Sequence, residues 1–246
     1  MFEMEFVKRE NELLRVLKRL IEEKLDFVVV GGYAVSGLAK HRFSVDCDMV
    51  VAKRELKKFE EVLGIEGFEK HIVKTGFDEI YAGEFVSCRK EVNGLPVTVD
   101  LLVGSLVCRA TGAAWSFDYV KKNSVEANIA GIEASASCRI PEKELLIAFK
   151  IHSARRADIR DIIMLREGAD LEKVLKHLRR GRTEAVKDQV NKIIEALEDK
   201  NLVDSLKGVF TLTVDVRKQI ESAKKDIKSI LESIRGKSAV VQEDKQ

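Results

Sequence analysis

Apolar positions along the chain change period several times, and each change marks an element. Phe6, Leu13, Leu14, Val16, Leu17, Leu20 and Ile21 recur at helical spacing, which predicts an amphipathic helix over 5–25 that covers a sheet. Residues 27–30 form a short apolar run rich in β-branched side chains, as a strand buried on both faces requires. Gly31 and Gly32 break it, and 33–40 has room for one or two helical turns. A second strand is expected from Asp46 to Val51, and then a helix over 54–63 with Leu56, Phe59, Val62 and Leu63 on one side. Gly64 and Gly67 stop that helix.

From 69 to 104 the pattern turns to strands, expected at 71–73, 79–82, 84–91 and 95–103, with Asn93-Gly94 as a hairpin turn. Residues 105–133 follow no single period; Trp115, Phe117 and Tyr119 read there as packing residues or as an aromatic group able to stack a base. A strand over 132–138 precedes a helix over 141–166, with Pro141 at its first position and a short break near Arg156. From Asp170 onward the pattern is helical throughout. Val216, Ile220, Ala223, Ile227, Leu231 and Ile234 make a heptad-like seam, suited to packing on the preceding helices or to a homodimer. The fold class expected is α+β: a small mixed β-sheet flanked by helices, with an all-helical C-terminal region. The boundaries expected are 1–168, 169–236 and a disordered tail over 237–246.

Composition narrows the class without naming a function. The 246 residues are 45% apolar and 34% charged, which describes an ordinary globular chain with a full core. A net charge of +2 gives no global bias toward nucleic acid or acidic membranes, although a local basic patch remains open. Cys47, Cys88, Cys108 and Cys138 are widely spaced with no Cys-x-x-Cys pair, which argues against structural zinc and a secreted disulfide framework. The first ten residues are too acidic and polar for a signal peptide and no long apolar run occurs, so a cytoplasmic protein is expected.

The candidate chemistry gathers around 27–52. Asp46 and Asp48 lie two apart in a strand and therefore share a face, with Cys47 and Met49 on the other. Neighbouring carboxylates repel, and a hard divalent cation such as Mg²⁺ relieves that repulsion. Gly31 and Gly32 let backbone amides approach a ligand, and a helix starting there offers free N–H groups to an anion. The pair reads either as a metal site facing an anion-binding turn or as the solvated face of an edge strand; the upstream glycines favour the first. In 95–103, Val97, Val99 and Leu101 share one face and Thr98, Asp100 and Leu102 the other. Asp100 reads as a third metal ligand and general base opposite Asp46 and Asp48, or as a cap for a backbone group. Lys150 sits close to the apolar side of its helix and must snorkel or meet an anion, for which a phosphate is favoured. Arg155, Arg156, Arg160, Asp158 and Asp161 read as helical salt bridges, and His41 and His152 as surface or packing residues. Arg42 is placed to meet a phosphate.

The order of a buried strand, Gly31-Gly32, a thirteen-residue spacer, Asp46-x-Asp48 and a later Asp100 resembles the nucleotidyltransferase superfamily of the DNA polymerase β type. Within it, Arg42-x-Ser44-x-Asp46-x-Asp48, Ile140-Pro141-Glu142 leading to Lys150, and Ala157-Asp158-Ile159-Arg160-Asp161 are most similar to AbiEii-type toxins and the nucleotidyltransferases near them. The resemblance spans 25–166. It departs from the pattern at Gly32, where many members carry Ser, and at Ser44, where relatives often have Thr. It implies two Mg²⁺ ions held by Asp46, Asp48 and Asp100, and transfer of a nucleoside monophosphate from an NTP such as ATP to a hydroxyl, releasing pyrophosphate. Gly31, Gly32, Arg42, Ser44 and Lys150 would contact the nucleotide; the acceptor would be tRNA or another RNA, a protein or a small molecule, and a toxin would have a cognate antitoxin. The rivals are a Mg²⁺-dependent nuclease or phosphohydrolase using the same acids, and a non-catalytic nucleotide- or partner-binding module.

Overall fold

A computed structural model describes residues 2–243, with side chains described for 4–236. The chain divides into two compact units, Met1–Val107 with Ala114–Glu142, and Cys108–Ala113 with Lys143–Gln246.

In the first unit, helix α1 (Phe2–Glu22) leads into β1 (Phe27–Val29), α2 (Gly31–Leu38) and β2 (Asp46–Val51). A single 3₁₀ turn and α3 (Leu56–Ile65) come next, then β3 (Glu69–Lys74), β4 (Glu84–Val92) and β5 (Leu95–Val103). These strands form one sheet in the order β1-β2-β5-β4-β3, with β2 and β5 parallel and the other pairs antiparallel. Alternation works as expected: Cys47, Met49, Val51, Val97, Val99, Leu101 and Val103 are buried on one face. Leu13, Leu14, Val16, Leu17 and Leu20 of α1 are buried with them, and α1 packs on β4 and β5. The Asn93-Gly94 turn has both residues at positive φ (53° and 76°) and joins β4 to β5 with Val92 opposite Leu95.

The stretch without a clear period contains β6 (Ser105–Cys108), β7 (Ala113–Ser116), α4 (Phe117–Lys122) and β8 (Ser124–Ala130), and β9 (Ser135–Pro141) pairs with β8. Trp115 and Phe117 are core residues. Three boundaries differ from the sequence reading. Residues 79–82 are a turn instead of a strand, because the buried Asp78 carboxylate accepts the N–H groups of Ile80 (3.0 Å), Tyr81 (3.1 Å) and Gly83 (3.3 Å) and the Ser105 hydroxyl. Those amides are therefore withdrawn from any ladder. The strand expected at 132–138 starts at Ser135, after a turn closed by Gly131 N–H to the Ala134 carbonyl at 2.8 Å. Pro141 ends β9 instead of opening a helix.

The second unit is helical: α5 (Lys143–Ser153), α6 (Arg156–Leu165), α7 (Leu171–Leu178), α8 (Thr183–Ala196), α9 (Leu202–Phe210) and α10 (Arg217–Glu243). Helices over 143–165, which the sequence reading joins to the first domain, belong to this unit. Helix α5 is buried from Leu145 to His152 and packs on α6, α7 and α8. The expected break falls at Ala154, at φ 44°. The seam Val216, Ile220, Ala223, Ile227 and Leu231 is buried within the chain, where α10 packs on α6, α7 and α8, so it is not an exposed dimer face. The tail expected from 237 continues as helix to Glu243, and 244–246 lie outside the described residues.

Lys150 lies inside this helical unit. Its Nζ is 2.9 Å from Asp158 Oδ1 and 2.8 Å from Asp161 Oδ2, and all three side chains are nearly or wholly buried. Arg155 adds its Nε to Asp158 Oδ2 at 2.8 Å and its backbone N–H at 3.1 Å. The anion the sequence demanded for Lys150 is thus a pair of the chain's own carboxylates. Burial alone would push the Asp158 carboxyl up, but Lys150 and Arg155 together outweigh it and hold the group at about 2. Its stabilising effect, roughly 2 to 3 kcal/mol, is therefore complete above its ordinary 3.8 and lost as pH falls toward 2. Replacing Lys150 by Met should cost about 3–5 kcal/mol in urea unfolding, because two buried carboxylates lose the ammonium between them and Asp158 keeps only Arg155. The wild type should in turn lose stability steeply between pH 4 and 2.

Candidate active site

Strand register places the carboxylates. In the β2–β5 ladder Asp48 lies opposite Asp100, and Asp46 lies opposite Thr98 two residues earlier on the same face. This is the arrangement read from the sequence for Asp46, Asp48 and Asp100. Asp46, the first residue of β2, is exposed, whereas Asp48 and Asp100 are half-buried. On the other side of β5, β4 sets Ser87 opposite Asp100, and the Ser87 side chain hydrogen-bonds the carboxylate. Asp100 Oδ1 is nevertheless buried with no hydrogen-bond partner. Burial pushes the Asp100 carboxyl above its usual range, Asp46 repels its charge and adds to the rise, and Ser87 opposes it.

Gly31 and Gly32 are held against this face. The Val30 N–H donates to the Asp48 carbonyl at 2.8 Å, which brings the end of β1 beside Asp48. Helix α2 starts at Gly31 itself, one residue pair earlier than expected, with φ +66°. A Cβ on Gly31 would meet Asp48 Oδ2 at 2.2 Å, so only glycine fits between the helix start and the carboxylate. A Cβ on Gly32 would meet Ser44 Oγ at 2.5 Å and Arg42 Nη2 at 3.0 Å. The place of a side chain at 32 is therefore taken by Ser44 and Arg42, which the sequence reading groups with the glycines.

The loop 39–45 that carries them is fastened at several points. Ser36 Oγ accepts the Arg42 N–H at 3.3 Å and lies 3.3 Å from the Arg42 carbonyl; Arg42 Nη1 donates to the Phe43 carbonyl at 3.2 Å. His41 Nε2 pairs with the buried Glu10 of α1 at 2.7 Å, and Glu10 Oε2 accepts the Ile132 N–H at 2.9 Å. His41 is thus a packing residue for this loop. His152 is a packing residue of the helical unit, fully buried with Nδ1 2.7 Å from Thr111 Oγ1, its pKa lowered to about 4 by burial. Ser87, Ser36 and Glu10 are neighbours of this face that the sequence reading does not single out. Ser87 was recoverable: a two-residue turn at 93–94 with Val92 opposite Leu95 fixes Ser87 opposite Asp100.

The donor set fits a hard divalent ion. It consists of carboxylate oxygens, one of them buried and unpartnered at Asp100, beside an exposed Asp46. Among the described residues no group of three His, Cys, Asp or Glu stands close enough to enclose an ion in the present arrangement.

The core seen here is the one the motifs imply: a small mixed sheet, a glycine-led helix and three strand-borne aspartates on one face. The fold is α+β, with the five-stranded mixed sheet carrying these residues. No protein-family model matches the chain, and no curated protein matches it in sequence. Among solved structures, JHP933 from Helicobacter pylori superposes with a TM-score of 0.50 at 16% identity, covering 98% of each chain. The lincosamide antibiotic adenylyltransferase LnuA with lincomycin bound gives 0.44 at 20% identity over 65% of this chain and 98% of its own. ANT(2″)-Ia in complex with adenylyl-2″-tobramycin gives 0.45 at 16% identity over 71% and 94%. The likeness to JHP933 is one of fold alone, and the two weaker ones add nothing to it. Among the described residues no helix is long and apolar enough to cross a membrane.

Two outcomes are expected of this core. Because folding favours the neutral form of Asp100, its charge at neutral pH opposes folding. Asp100→Asn should raise the melting temperature without divalent ions, and Mg²⁺ should raise that of the wild type but not of the variant. Gly31→Ala should displace the Asp48 carboxylate and abolish the Mg²⁺-induced rise, read by the same melting curves.

Proposed function

We propose that the chain is a Mg²⁺-dependent nucleotidyltransferase that transfers a nucleoside monophosphate from an NTP to an acceptor hydroxyl. The observation that carries this is the buried, unpartnered Oδ1 of Asp100 facing Asp48 across the β2–β5 ladder, beside the glycine start of α2. Asp46, Asp48 and Asp100 would hold the metal, which when bound supplies positive charge for the triphosphate and a lower pKa for the acceptor hydroxyl.

The chain's own residues do the rest. Asp100, whose carboxyl is raised by burial, is the general base and takes the acceptor's proton, while Ser87 holds it in place. The acceptor oxygen attacks the α-phosphorus, the bond from that phosphorus to the bridging oxygen breaks, and pyrophosphate leaves with the electron pair. Backbone amides at Gly31 and Gly32 bind the phosphate oxygens, and the Ser44 hydroxyl and Arg42 guanidinium, packed in the space above Gly32, contact the same oxygens. Lys150 has no place in this reading, because its charge is matched by Asp158 and Asp161.

The test is incubation with Mg²⁺ and each α-labelled NTP in the presence of total RNA and cell extract. Label should become attached to one acceptor with the wild type, and attachment should fall at least a thousandfold in Asp46→Ala, Asp48→Ala and Asp100→Ala, each still folded by circular dichroism. Release of free monophosphate with nothing labelled would replace transfer by hydrolysis. Nucleotide binding without turnover would leave a binding module.

A further inference from the structure

The second unit concentrates arginines at one point of a nearly neutral chain. Segment 108–113 is fixed to the helices by internal bonds. The fully buried Thr111 places Oγ1 2.7 Å from His152 Nδ1, and the Cys108 thiol donates to the His152 carbonyl at 3.1 Å. The α7–α8 connection is stitched to that segment in turn. The Arg182 N–H donates to the Thr111 carbonyl at 2.8 Å, and Arg182 Nη2 lies 3.4 Å from the Ala110 carbonyl. Gly181, at φ +71°, comes so close that a Cβ would meet the Thr111 carbonyl oxygen at 2.5 Å. This junction brings Arg109 together with the run Arg179-Arg180-Gly181-Arg182. Arg109, Arg179 and Arg182 are exposed, and Arg180 is half-buried.

The arrangement costs stability where a neutral one would not. Arg182 occupies the N-cap of α8 and makes no side-chain cap there. A cation at the positive end of a helix is unfavourable, and Asn, Asp or Ser would cap it. Like charges at 179, 180 and 182 repel as well. Guanidinium groups suit phosphate by their planar, bidentate geometry, and several on one surface suit a chain of phosphates better than a single small anion.

We infer that Arg109, Arg179, Arg180 and Arg182 form a binding surface for the phosphodiester backbone of a nucleic acid. This binding does not rest on the nucleotidyltransferase reading, because it is measured without turnover.

The experiment is fluorescence anisotropy with a labelled 20-nucleotide single-stranded RNA and the matching DNA, titrated at several salt concentrations. The triple variant Arg109→Gln/Arg179→Gln/Arg182→Gln is compared with a charge-matched control, Arg54→Gln/Lys57→Gln/Lys58→Gln, on the exposed side of the first unit. Both are checked by melting temperature. The wild type should bind, the arginine variant should lose at least tenfold in affinity at about 0.1 M salt, and its slope of log K against log salt should shrink by about 2. The control should match the wild type. Binding of RNA alone, DNA alone or both identifies the polynucleotide. No binding by the wild type, or equal loss in the two variants, overturns the surface. Polynucleotide binding that persists in a protein without transfer activity would overturn only the nucleotidyltransferase reading.

Discussion

A carboxylate half-buried in a sheet, with further acids on the same face, carries its charge at a cost that apolar packing does not remove. Asp48 and Asp100 are held in this relation by the same ladder that buries Cys47, Met49, Val99 and Leu101 on the opposite face. The hydrophobic register fixes the acids: a slip of one residue would move the whole apolar set out of the core. The sheet therefore disfavours charge on Asp100, first by burying it and then by setting Asp46 on the same face. Such a cost, with an unpartnered oxygen on Asp100, is what a cation would offset.

The glycines belong to the same constraint. Gly31 lacks a side chain because the Asp48 carboxylate stands in its place, and Gly32 because Ser44 and Arg42 do. Helix start, acid and loop are thus parts of one packed arrangement. Glu10 extends it outward by holding both His41 and the turn before β9. In the helical unit the opposite solution appears: Asp158 and Asp161 are matched internally by Lys150, so nothing there calls for an external ion.

Much of this is legible in the sequence because it depends on short-range geometry. Alternation in 46–51 and 95–103 places the three aspartates on one face, and Asn93-Gly94 fixes the β4–β5 register. The illegible parts depend on partners distant in sequence or on side chains that redirect the backbone. Asp78 takes the amides that a strand at 79–82 would have used, and its partner Ser105 lies 27 residues away. Lys150 visibly needs an anion, but periodicity cannot tell a phosphate from carboxylates across a helix break. Pro141 suits a strand end as well as a helix start, since it lacks an N–H in either place.

The central claim is that Asp46, Asp48 and Asp100 hold a divalent ion that meets a triphosphate at the start of α2. The most direct measurement is a crystal structure with Mn²⁺ and an NTP analogue that cannot be cleaved between its α and β phosphates. Anomalous scattering would locate the metal. A peak contacting Asp48 and Asp100 is expected, with phosphate oxygens against the amides of Gly31 and Gly32. A nucleotide bound elsewhere, or a metal that leaves the Asp100 carboxylate without a partner, would contradict it.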